Sequence, residues 1–319
     1  MVEYISDDEY YPRIMQRMSS LAIHRLPRYE RVTVYRPIKI GRTKQVILQS
    51  ISRFSYLSAD QIARYAFSRS SLSYVCDHLK ELFHAAYVRR VFLPTITPHG
   101  SSLAVYCLDN RGYAFLKAAG QESRGRFHAQ EQADREWLFL RHTLSCNDLL
   151  ISAHLLAKTE PGIELVRFRT ERDLKRSVLY VPDGKSKIGI ASDGWIDLAH
   201  GQLQTCLAFE LDRGTVEREP WRRRIRGMVK VASGPYQSAF ETDSLTIAVV
   251  TTSGDKRLRS LISWTEQELA DIDAKSDADL FRFAALDPRS IGPAELFFTP
   301  RFLRPFDPYP LPLLSRELP

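Results

Sequence analysis

Three helical patterns followed by two strand-like runs occupy residues 43–119, and this order limits what the chain can fold into. Ser58 and Gln61 have the spacing of a capping box, in which each side chain satisfies a free backbone N–H at a helix start. Apolar residues recur at intervals of three and four, as on the buried face of a helix. They are Val46, Ile47, Ile51 and Phe54 in the first helix, Ile62, Ala63, Ala66 and Phe67 in the second, and Leu72, Val75, Cys76, Leu79, Leu82 and Phe83 in the third.

The two strand-like runs lie at 87–93 and 102–108, after the third helix. The segment between them, 94–100, has the sequence Pro-Thr-Ile-Thr-Pro-His-Gly and consists of turn formers. A last helix over 110–119 ends before Gly120, where a C-cap requires a positive φ. Three helices and a β-ribbon predict a winged helix-turn-helix over residues 43–120. In that fold the N-terminal end of the third helix contacts base edges in DNA.

The outward face of the third helix favours duplex DNA as its ligand. Its side chains are short or flat hydrogen-bonding groups, and they crowd the N-terminal end. The candidate base contacts are Arg69, Ser70, Ser71, Ser73, Tyr74 and His78, and the candidate contacts on the wing are Thr95, Thr97 and His99. An alternative is a protein–protein adaptor that uses the winged helix only as an interface.

The excess positive charge of the chain lies in its N-terminal part. The net charge is +7; residues 1–120 hold 17 Lys and Arg against 9 Asp and Glu, whereas residues 121–319 hold 28 against 29. Such an excess binds phosphates by releasing counterions. Residues 1–42 form a basic arm that is expected to contact DNA or to fold back on the winged helix as a linker. The candidate phosphate contacts in the arm are Arg28, Arg31, Arg36 and Arg42.

The four cysteines, at positions 76, 107, 146 and 206, lie far apart and form no C-x-x-C pair. Neither a disulfide nor a zinc site is expected from this spacing, which fits a reducing cytoplasm. The sequence has no signal-peptide pattern and no run of about 18 apolar residues. We therefore expect a cytoplasmic protein that does not use a membrane as a partner.

Residues 129–300 alternate between patterns in the order helix, three strands, helix, strand, after a polar boundary at 121–128. This order predicts an α/β (α+β) second domain, a mixed sheet with flanking helices. A last strand is expected at 295–298. The Pro-rich segment 301–319 is expected to be an extended tail on the surface.

Three acids of the second domain are candidate catalytic groups. Asp193 precedes one strand, whereas Glu210 and Asp212 stand two residues apart at the end of the next strand, where alternation places them on one face. Oxygen ligands of this kind hold Mg²⁺ or Mn²⁺, and phosphodiester hydrolysis uses the metal to activate water. A metal-dependent DNA endonuclease is therefore an alternative function. Its metal ligands would be Asp193 and Glu210.

This arrangement resembles the PD-(D/E)XK, or restriction-endonuclease-like, fold over about residues 130–255. In that fold an Asp at a strand end and an acid-x-Lys on the next strand form the site. The chain departs from the pattern, since Ser192 stands in place of Pro and Asp212 in place of the catalytic Lys. The departures favour an inactive scaffold used for dimerisation or partner docking. The candidate basic side chains in place of the catalytic Lys are Arg213, Arg224 and Lys230, since a lysine can come from the following helix in this fold.

The order of short motifs is similar to that of the replication-relaxation proteins of plasmids and integrated elements, over residues 43–255. The motifs after the winged helix are His-Thr-Leu-Ser-Cys-Asn-Asp at 142–148, Thr-Glu at 170–171, Ser-Asp-Gly at 192–194 and Phe-Glu-Leu-Asp-Arg-Gly-Thr at 209–215. The resemblance implies a DNA-binding role in the replication or mobilisation of an element, or in regulating them, and implies no established catalytic activity. Double-stranded DNA, a second copy of the chain, and replication or mobilisation proteins are the expected partners. DNA binding would need no cofactor.

Overall fold

The structure is a computed structural model of the chain, and it describes residues 30–33, 37–94, 102–121 and 127–316. Five of the predicted DNA contacts lie outside the described residues. They are Arg28 and Arg36 in the arm and Thr95, Thr97 and His99 in the predicted wing loop.

The N-terminal part consists of short helices and a three-stranded antiparallel sheet. The strands have the order β1-β3-β2, so the first strand pairs with the third. The order of helix, strand, two helices and two strands is that of the predicted winged helix-turn-helix, with β2 and β3 as the ribbon. The elements are α1 (Arg42–Phe54), β1 (Leu57–Ser58), α2 (Ala59–Ala66), α3 (Leu72–His84), β2 (Val88–Phe92), β3 (Ala104–Leu108) and α4 (Asn110–Ala118).

The local signals in this part act largely as the sequence predicts. Ser58 and Gln61 form the capping box at the start of α2, and Gly120 has a φ of 75° just after α4. The prediction for α3 is wrong at two positions, since Leu72 is 39% exposed and Cys76 is also exposed. Leu72 begins the helix and Cys76 lies at the edge of its apolar stripe. The spacing of apolar residues does not show which of them other elements of the fold will cover.

The second part is built on a seven-stranded mixed sheet of order β12-β11-β10-β9-β8-β7-β4. Strands β8, β9 and β10 run parallel to one another, and the remaining neighbours are antiparallel. The strands are β4 (Ile163–Thr170), β5 (Leu179–Asp183), β6 (Ser186–Ile190), β7 (Gly194–His200), β8 (Leu203–Asp212), β9 (Thr246–Thr251), β10 (Phe281–Ala285), β11 (Phe302–Arg304) and β12 (Asp307–Leu311). The helices are α5 (Ala129–Ala133), α6 (Trp137–Thr159), α7 (Glu171–Leu174), α8 (Arg218–Ala232), α9 (Pro235–Phe240), α10 (Gly254–Asp271) and α11 (Pro293–Phe298).

Strand β8 is buried on both faces, and this places the acids at its end. Leu207 and Phe209 belong to the core that α6 covers, whereas Cys206 and Ala208 belong to the core that α8 and α10 cover. Alternation along the strand then directs Glu210 towards α8 and α10, on the side of Cys206 and Ala208. The predicted order α6, β4, β7, β8, α8, β9 is confirmed, with the hairpin β5-β6 inserted as a separate small sheet. The chain therefore has the predicted mixed α/β fold.

Two predictions near the C-terminus are wrong. Residues 295–298 lie in helix α11 rather than in a strand, because Pro293 stands at the first helical turn, where its fixed φ suits a helix. Segment 301–319 is not a surface tail, since β11 and β12 extend the sheet within it. Leu313 and Leu314 are buried in the core, and this burial holds the segment in place.

Helix α6 joins the two parts through one continuous core. Its Asn147 side chain donates to the Tyr56 carbonyl at 2.8 Å, and Gln61 of α2 donates to the Leu144 carbonyl at 2.7 Å. Asp148 accepts a hydrogen bond from Arg64 of α2. Motif residues 147–148 therefore attach the winged helix to the sheet. Within the described residues, none of the helices has the length and apolarity needed to cross a membrane.

Candidate functional site

The N-terminal end of α3 presents a polar surface to solvent. A single 3-10 turn, Arg69–Ser71, precedes the helix. Arg69, Ser70 and Ser73 are exposed, and Tyr74 is 49% exposed. Two further predicted contacts, Ser71 and His78, are half-buried. Five of the six predicted base contacts therefore lie at the start of α3, whereas His78 lies one turn farther along, with both ring nitrogens buried.

Contacts within this surface link α3 to the start of α1. The Tyr74 hydroxyl lies 3.0 Å from the Thr43 hydroxyl, and the His78 ring packs edge-on against the Tyr74 ring at 4.4 Å between centroids. Thr43 follows Arg42, so the first residue of α1 stands beside the recognition face of α3. The Ser68 hydroxyl lies 2.8 Å from that of Ser70, which orders the turn before the helix.

Arg42 and Arg69 are the exposed cations of this surface that remain unengaged within the described part of the chain, where neither has a hydrogen bond or an ion pair. Two other cations of the N-terminal part are occupied. Lys44 pairs with Glu81 at 2.7 Å, and Arg89 donates to Gln130 at 2.7 Å. Arg42 and Arg69 are therefore available to a ligand without breaking a contact of the fold.

Arg31 is, with Arg42, one of the two predicted arm contacts that the structure describes, and its side chain is engaged within the fold. Its guanidinium donates to the Phe83 carbonyl at 2.8 Å and to the Val88 carbonyl at 2.9 Å, and it pairs with Asp109 at 2.9 Å. These contacts hold residue 31 against the winged helix. The side chain is therefore engaged within the fold, and a contact of Arg31 with phosphate stays a prediction.

Asp193 is held at the end of β8 by backbone hydrogen bonds. Its amide N–H donates to the Phe209 carbonyl at 2.9 Å, and its Oδ2 accepts from the Leu211 N–H at 2.8 Å. Burial alone would raise the pKa of this carboxyl. The hydrogen bond and charge of His142, aided by Arg224 and the Leu211 N–H, outweigh burial and lower the pKa.

Glu210 lies against α8 and shares one carboxylate oxygen with Arg224. The Arg224 Nε and Nη2 atoms lie 2.8 and 2.6 Å from Oε2. The other oxygen, Oε1, is buried and has no hydrogen-bond partner among the described residues. Burial, together with the charge of Asp193, raises the pKa of Glu210 to about 7 although Arg224 opposes the rise. The carboxylate is therefore only partly satisfied by the protein.

Asp212 is satisfied entirely by its own surroundings. Arg257 of α10 donates to both oxygens at 2.8 and 2.9 Å, and the Thr251 hydroxyl and the Gly214 N–H donate to Oδ2 at 2.9 and 3.0 Å. Burial would raise the pKa of Asp212, but the hydrogen bonds of Arg257 and Thr251 outweigh it and lower the pKa. The three predicted acids therefore do not act as one set. Asp193 and Glu210 interact, whereas Asp212 is tied to α10.

The residues present fit a magnesium centre only in part. Asp193 and Glu210 supply two hard oxygen donors, and Mg²⁺ is commonly bound by one or two carboxylates with water and substrate phosphates. Asp212 is not free to join them. Arg224 is the cation beside these two acids, but its guanidinium already donates to Glu210 and, at 2.9 Å, to the Ala191 carbonyl.

Two residues that the sequence analysis did not select stand beside Asp193. The His142 Nε2 lies 3.2 Å from the Asp193 Oδ1, and the Cys146 Sγ lies 3.4 Å from the same nitrogen. Burial would lower the pKa of His142, but the hydrogen bond and charge of Asp193 outweigh it and raise the pKa. The signal in the sequence was the spacing of four, which places both side chains on one face of α6.

The family described as Replication-relaxation matches residues 48–242, which is more than half of the chain. The chain belongs to the replication-relaxation family. The matched region runs from α1 to the segment after α9 and includes α3, His142, Asp193 and Glu210. It ends before β9, α10 and the C-terminal strands.

Two solved structures show a weak similarity to this replication-relaxation protein. One is of the restriction endonuclease FokI, with a TM-score of 0.20 and 9% identity, and the other is of FokI bound to DNA, with a TM-score of 0.21 and 12% identity. Each match covers 73% of this chain and 45% of the FokI chain, so the protein spans less than half the length of these structures. No curated protein matches the sequence.

Proposed function

We propose that this replication-relaxation protein binds duplex DNA through its winged helix, in the replication or mobilisation of a plasmid or mobile element or in their regulation. The observation that carries the proposal is the unengaged Arg69 at the N-terminal end of α3. A recognition helix directs that end at base edges. An arginine there can donate two hydrogen bonds to the O6 and N7 atoms of a guanine.

The second unengaged cation, Arg42, supports the same surface. Its neighbour Thr43 contacts Tyr74, so α1 begins beside the face of α3 that carries Ser70 and Ser73. Phosphate contacts orient a protein on the duplex, whereas base contacts select the sequence. In the proposed complex Arg69 reads bases, together with the hydroxyl groups of α3. Arg42 contacts the backbone.

The α/β part acts in this proposal as a scaffold for dimerisation or partner docking. Hydrolysis of a phosphodiester needs positive groups positioned where negative charge develops. Asp212 stands at the lysine position of the nuclease pattern and is neutralised by Arg257 within the protein. Arg224 is likewise used by Glu210. These contacts favour an inactive site, and DNA binding would need no cofactor.

A metal-dependent endonuclease is the second candidate, and one observation favours it. The buried Oε1 of Glu210 has no hydrogen-bond partner among the described residues, and Asp193 lies close enough to raise the Glu210 pKa. A Mg²⁺ or Mn²⁺ ion would satisfy both carboxylates. In that function Asp193 and Glu210 would be the ligands, and Asp212 would only position the end of β8.

DNA recognition is tested with duplexes selected from a random pool by the full-length protein, measured by fluorescence anisotropy at several salt concentrations. We expect Arg69→Ala to weaken the binding of selected duplexes by about 1–3 kcal/mol and to leave the binding of scrambled duplexes nearly unchanged. Arg42→Ala should weaken both about equally and reduce the slope of log K against log salt by about 1.

The matched control is Arg259→Ala, because Arg259 is an exposed helical arginine of α10 that is also without a hydrogen bond or ion pair in the described residues. This control should bind like the wild type. An equal loss for Arg259→Ala and Arg69→Ala would contradict the proposed surface. Failure of the wild type to bind any duplex would favour the adaptor function.

The scaffold role is tested by incubating plasmid and linear DNA with the protein and Mg²⁺ or Mn²⁺, and resolving the products on gels. We expect no cutting above background for the wild type, because Arg224 and Arg257 are already engaged by Glu210 and Asp212. Cutting that both Asp193→Asn and Glu210→Gln abolish would contradict the scaffold role and establish the endonuclease.

A further inference from the structure

We propose that His142, Cys146 and Asp193 bind one transition-metal ion of the zinc type. The three ligand atoms, His142 Nε2, Cys146 Sγ and a carboxylate oxygen of Asp193, all lie within 4.8 Å of one another. The set mixes nitrogen, sulfur and oxygen donors, which suits zinc. The proposal does not depend on DNA binding, and it shares Asp193 with the alternative endonuclease site.

The fold fixes all three donors before any ion binds. His142 and Cys146 stand one turn apart on the 23-residue helix α6, which packs on the sheet. Asp193 precedes β7 and is anchored through Oδ2 by the Leu211 N–H, so Oδ1 is the oxygen directed at His142. A donor set carried by a helix and a tethered strand end has little freedom to lose on binding.

Two of the three ligand separations are close to the edges of a coordination tetrahedron, and the third, between Cys146 and Asp193, is within 4.8 Å. Zinc bonds of about 2.0–2.3 Å separate neighbouring ligand atoms by roughly 3.3–3.8 Å. The nitrogen–oxygen distance between His142 and Asp193 is 3.2 Å, and the sulfur–nitrogen distance between Cys146 and His142 is 3.4 Å. Small rotations of the side chains would therefore place all three around one ion.

The charges of the proposed centre balance. Zinc is bound by a thiolate, a carboxylate and a neutral imidazole, and the thiol proton of Cys146 passes to solvent. The fourth position is open to water.

The expectation of no zinc site rested on the spacing of cysteines, which tests only for sites built from cysteine pairs. Here one cysteine is used, and the third ligand comes from a loop 47 residues farther along the chain. Without an ion, the same geometry consists of a His142–Asp193 hydrogen bond and a Cys146–His142 contact. With zinc the Cys146 sulfur would be a thiolate ligand, whereas without an ion it only contacts the His142 ring.

The test uses the full-length protein after removal of metal by chelation. Zinc affinity and stoichiometry are measured by competition with a chromophoric chelator, and cobalt substitution reports the ligands through its visible and near-ultraviolet absorption. We expect one equivalent of Zn²⁺ and a thiolate-to-cobalt charge-transfer band. Cys146→Ser and His142→Gln should each weaken zinc binding roughly 100-fold or more, beyond the ~10–100-fold effect of outer-shell changes.

Cys206→Ser and His154→Gln are matched controls, since Cys206 is a buried cysteine on β8 and His154 is another α6 histidine. Both should keep the zinc affinity and the cobalt band. Zinc should also raise the Tm of the wild type and not that of Cys146→Ser, which separates lost binding from a damaged fold. Absence of stoichiometric zinc, or unchanged zinc affinity in a folded Cys146→Ser variant, would overturn the proposal.

Discussion

Replacing Arg64 by Ala is expected to destabilise the chain by about 3–5 kcal/mol, because it removes the partner of a buried carboxylate at the junction of the two parts. Arg64 lies on α2 and donates to Asp148 of α6; the two side chains are only 12% and 7% exposed. Asp60 also contacts Arg64, at 3.0 Å, and would keep only its longer contact with Arg289, at 3.9 Å. The loss should be measured as a lower midpoint of urea unfolding.

The deficit of Arg64→Ala should depend on pH. Burial raises the pKa of Asp148 above its ordinary value even though Arg64 opposes the rise. A raised carboxyl pKa means that the folded state binds more protons, so stability falls as the pH rises from the unfolded pKa through the folded one. Without Arg64 the pKa rises further, so the deficit should be larger at about pH 8 than at about pH 5.

A double-mutant cycle provides the control for this junction. Arg64→Ala with Asp148→Ala should lose less stability than the two single variants together, because the double variant leaves no buried charge from this pair. Arg259→Ala, at an exposed site of α10, should have almost no effect. Simple additivity of the two junction variants would show that the pair does not hold the two parts together.

Much of this fold could be predicted because its signals are local. The capping box at Ser58, the glycine after α4 and the spacing of Val75, Leu79 and Leu82 depend on neighbours within one or two turns. The strands β10, β11 and β12 were not predicted, because their burial depends on a sheet assembled from distant segments. Pro-rich segment 301–319 has the composition of a tail, yet buried Leu313 and Leu314 secure it.

The candidate site was predictable only as a set of residue types near strand ends. Alternation correctly placed Glu210 and Asp212 at the end of β8, but it did not reveal their partners on different helices. Arg224 lies 14 residues beyond Glu210, and Arg257 lies 45 residues beyond Asp212. Each arginine neutralises its carboxylate, and sequence spacing alone does not show these pairs. The partners of Arg31 within the fold could not be predicted for the same reason, since Asp109 is remote in sequence.

The contacts of Asp212 bear on the proposed scaffold role. Asp212 stands where the nuclease pattern has a lysine, and Arg257 of α10 neutralises it within the protein. In the proposed role these contacts keep the end of β8 folded and supply no free cation for a scissile phosphate.

Replacing Arg257 by Ala is expected to destabilise the fold by about 3–5 kcal/mol, because Asp212 would remain as a buried charge without its counterion. The Asp212 side chain is 3% exposed, and Arg257 supplies hydrogen bonds to both of its oxygens. Thr251 and Gly214 would still donate, so the variant should fold but unfold at lower urea. Arg257→Lys should recover only part of the loss, since an ammonium group cannot form the two-pronged contact.

The pH dependence of the Asp212 pair provides the check, because its sign differs from that of Asp148. Arg257 holds the pKa of Asp212 below its ordinary value, so the stabilisation is present above the unfolded pKa, near 3.8, and is lost as the pH falls through the folded one. The deficit of Arg257→Ala should therefore be nearly constant from about pH 6 to pH 8 and shrink below about pH 4. Double variant Arg257→Ala with Asp212→Asn should unfold at higher urea than Arg257→Ala alone. If it does not, Asp212 is not the buried charge that Arg257 serves, and its assignment as a structural acid fails.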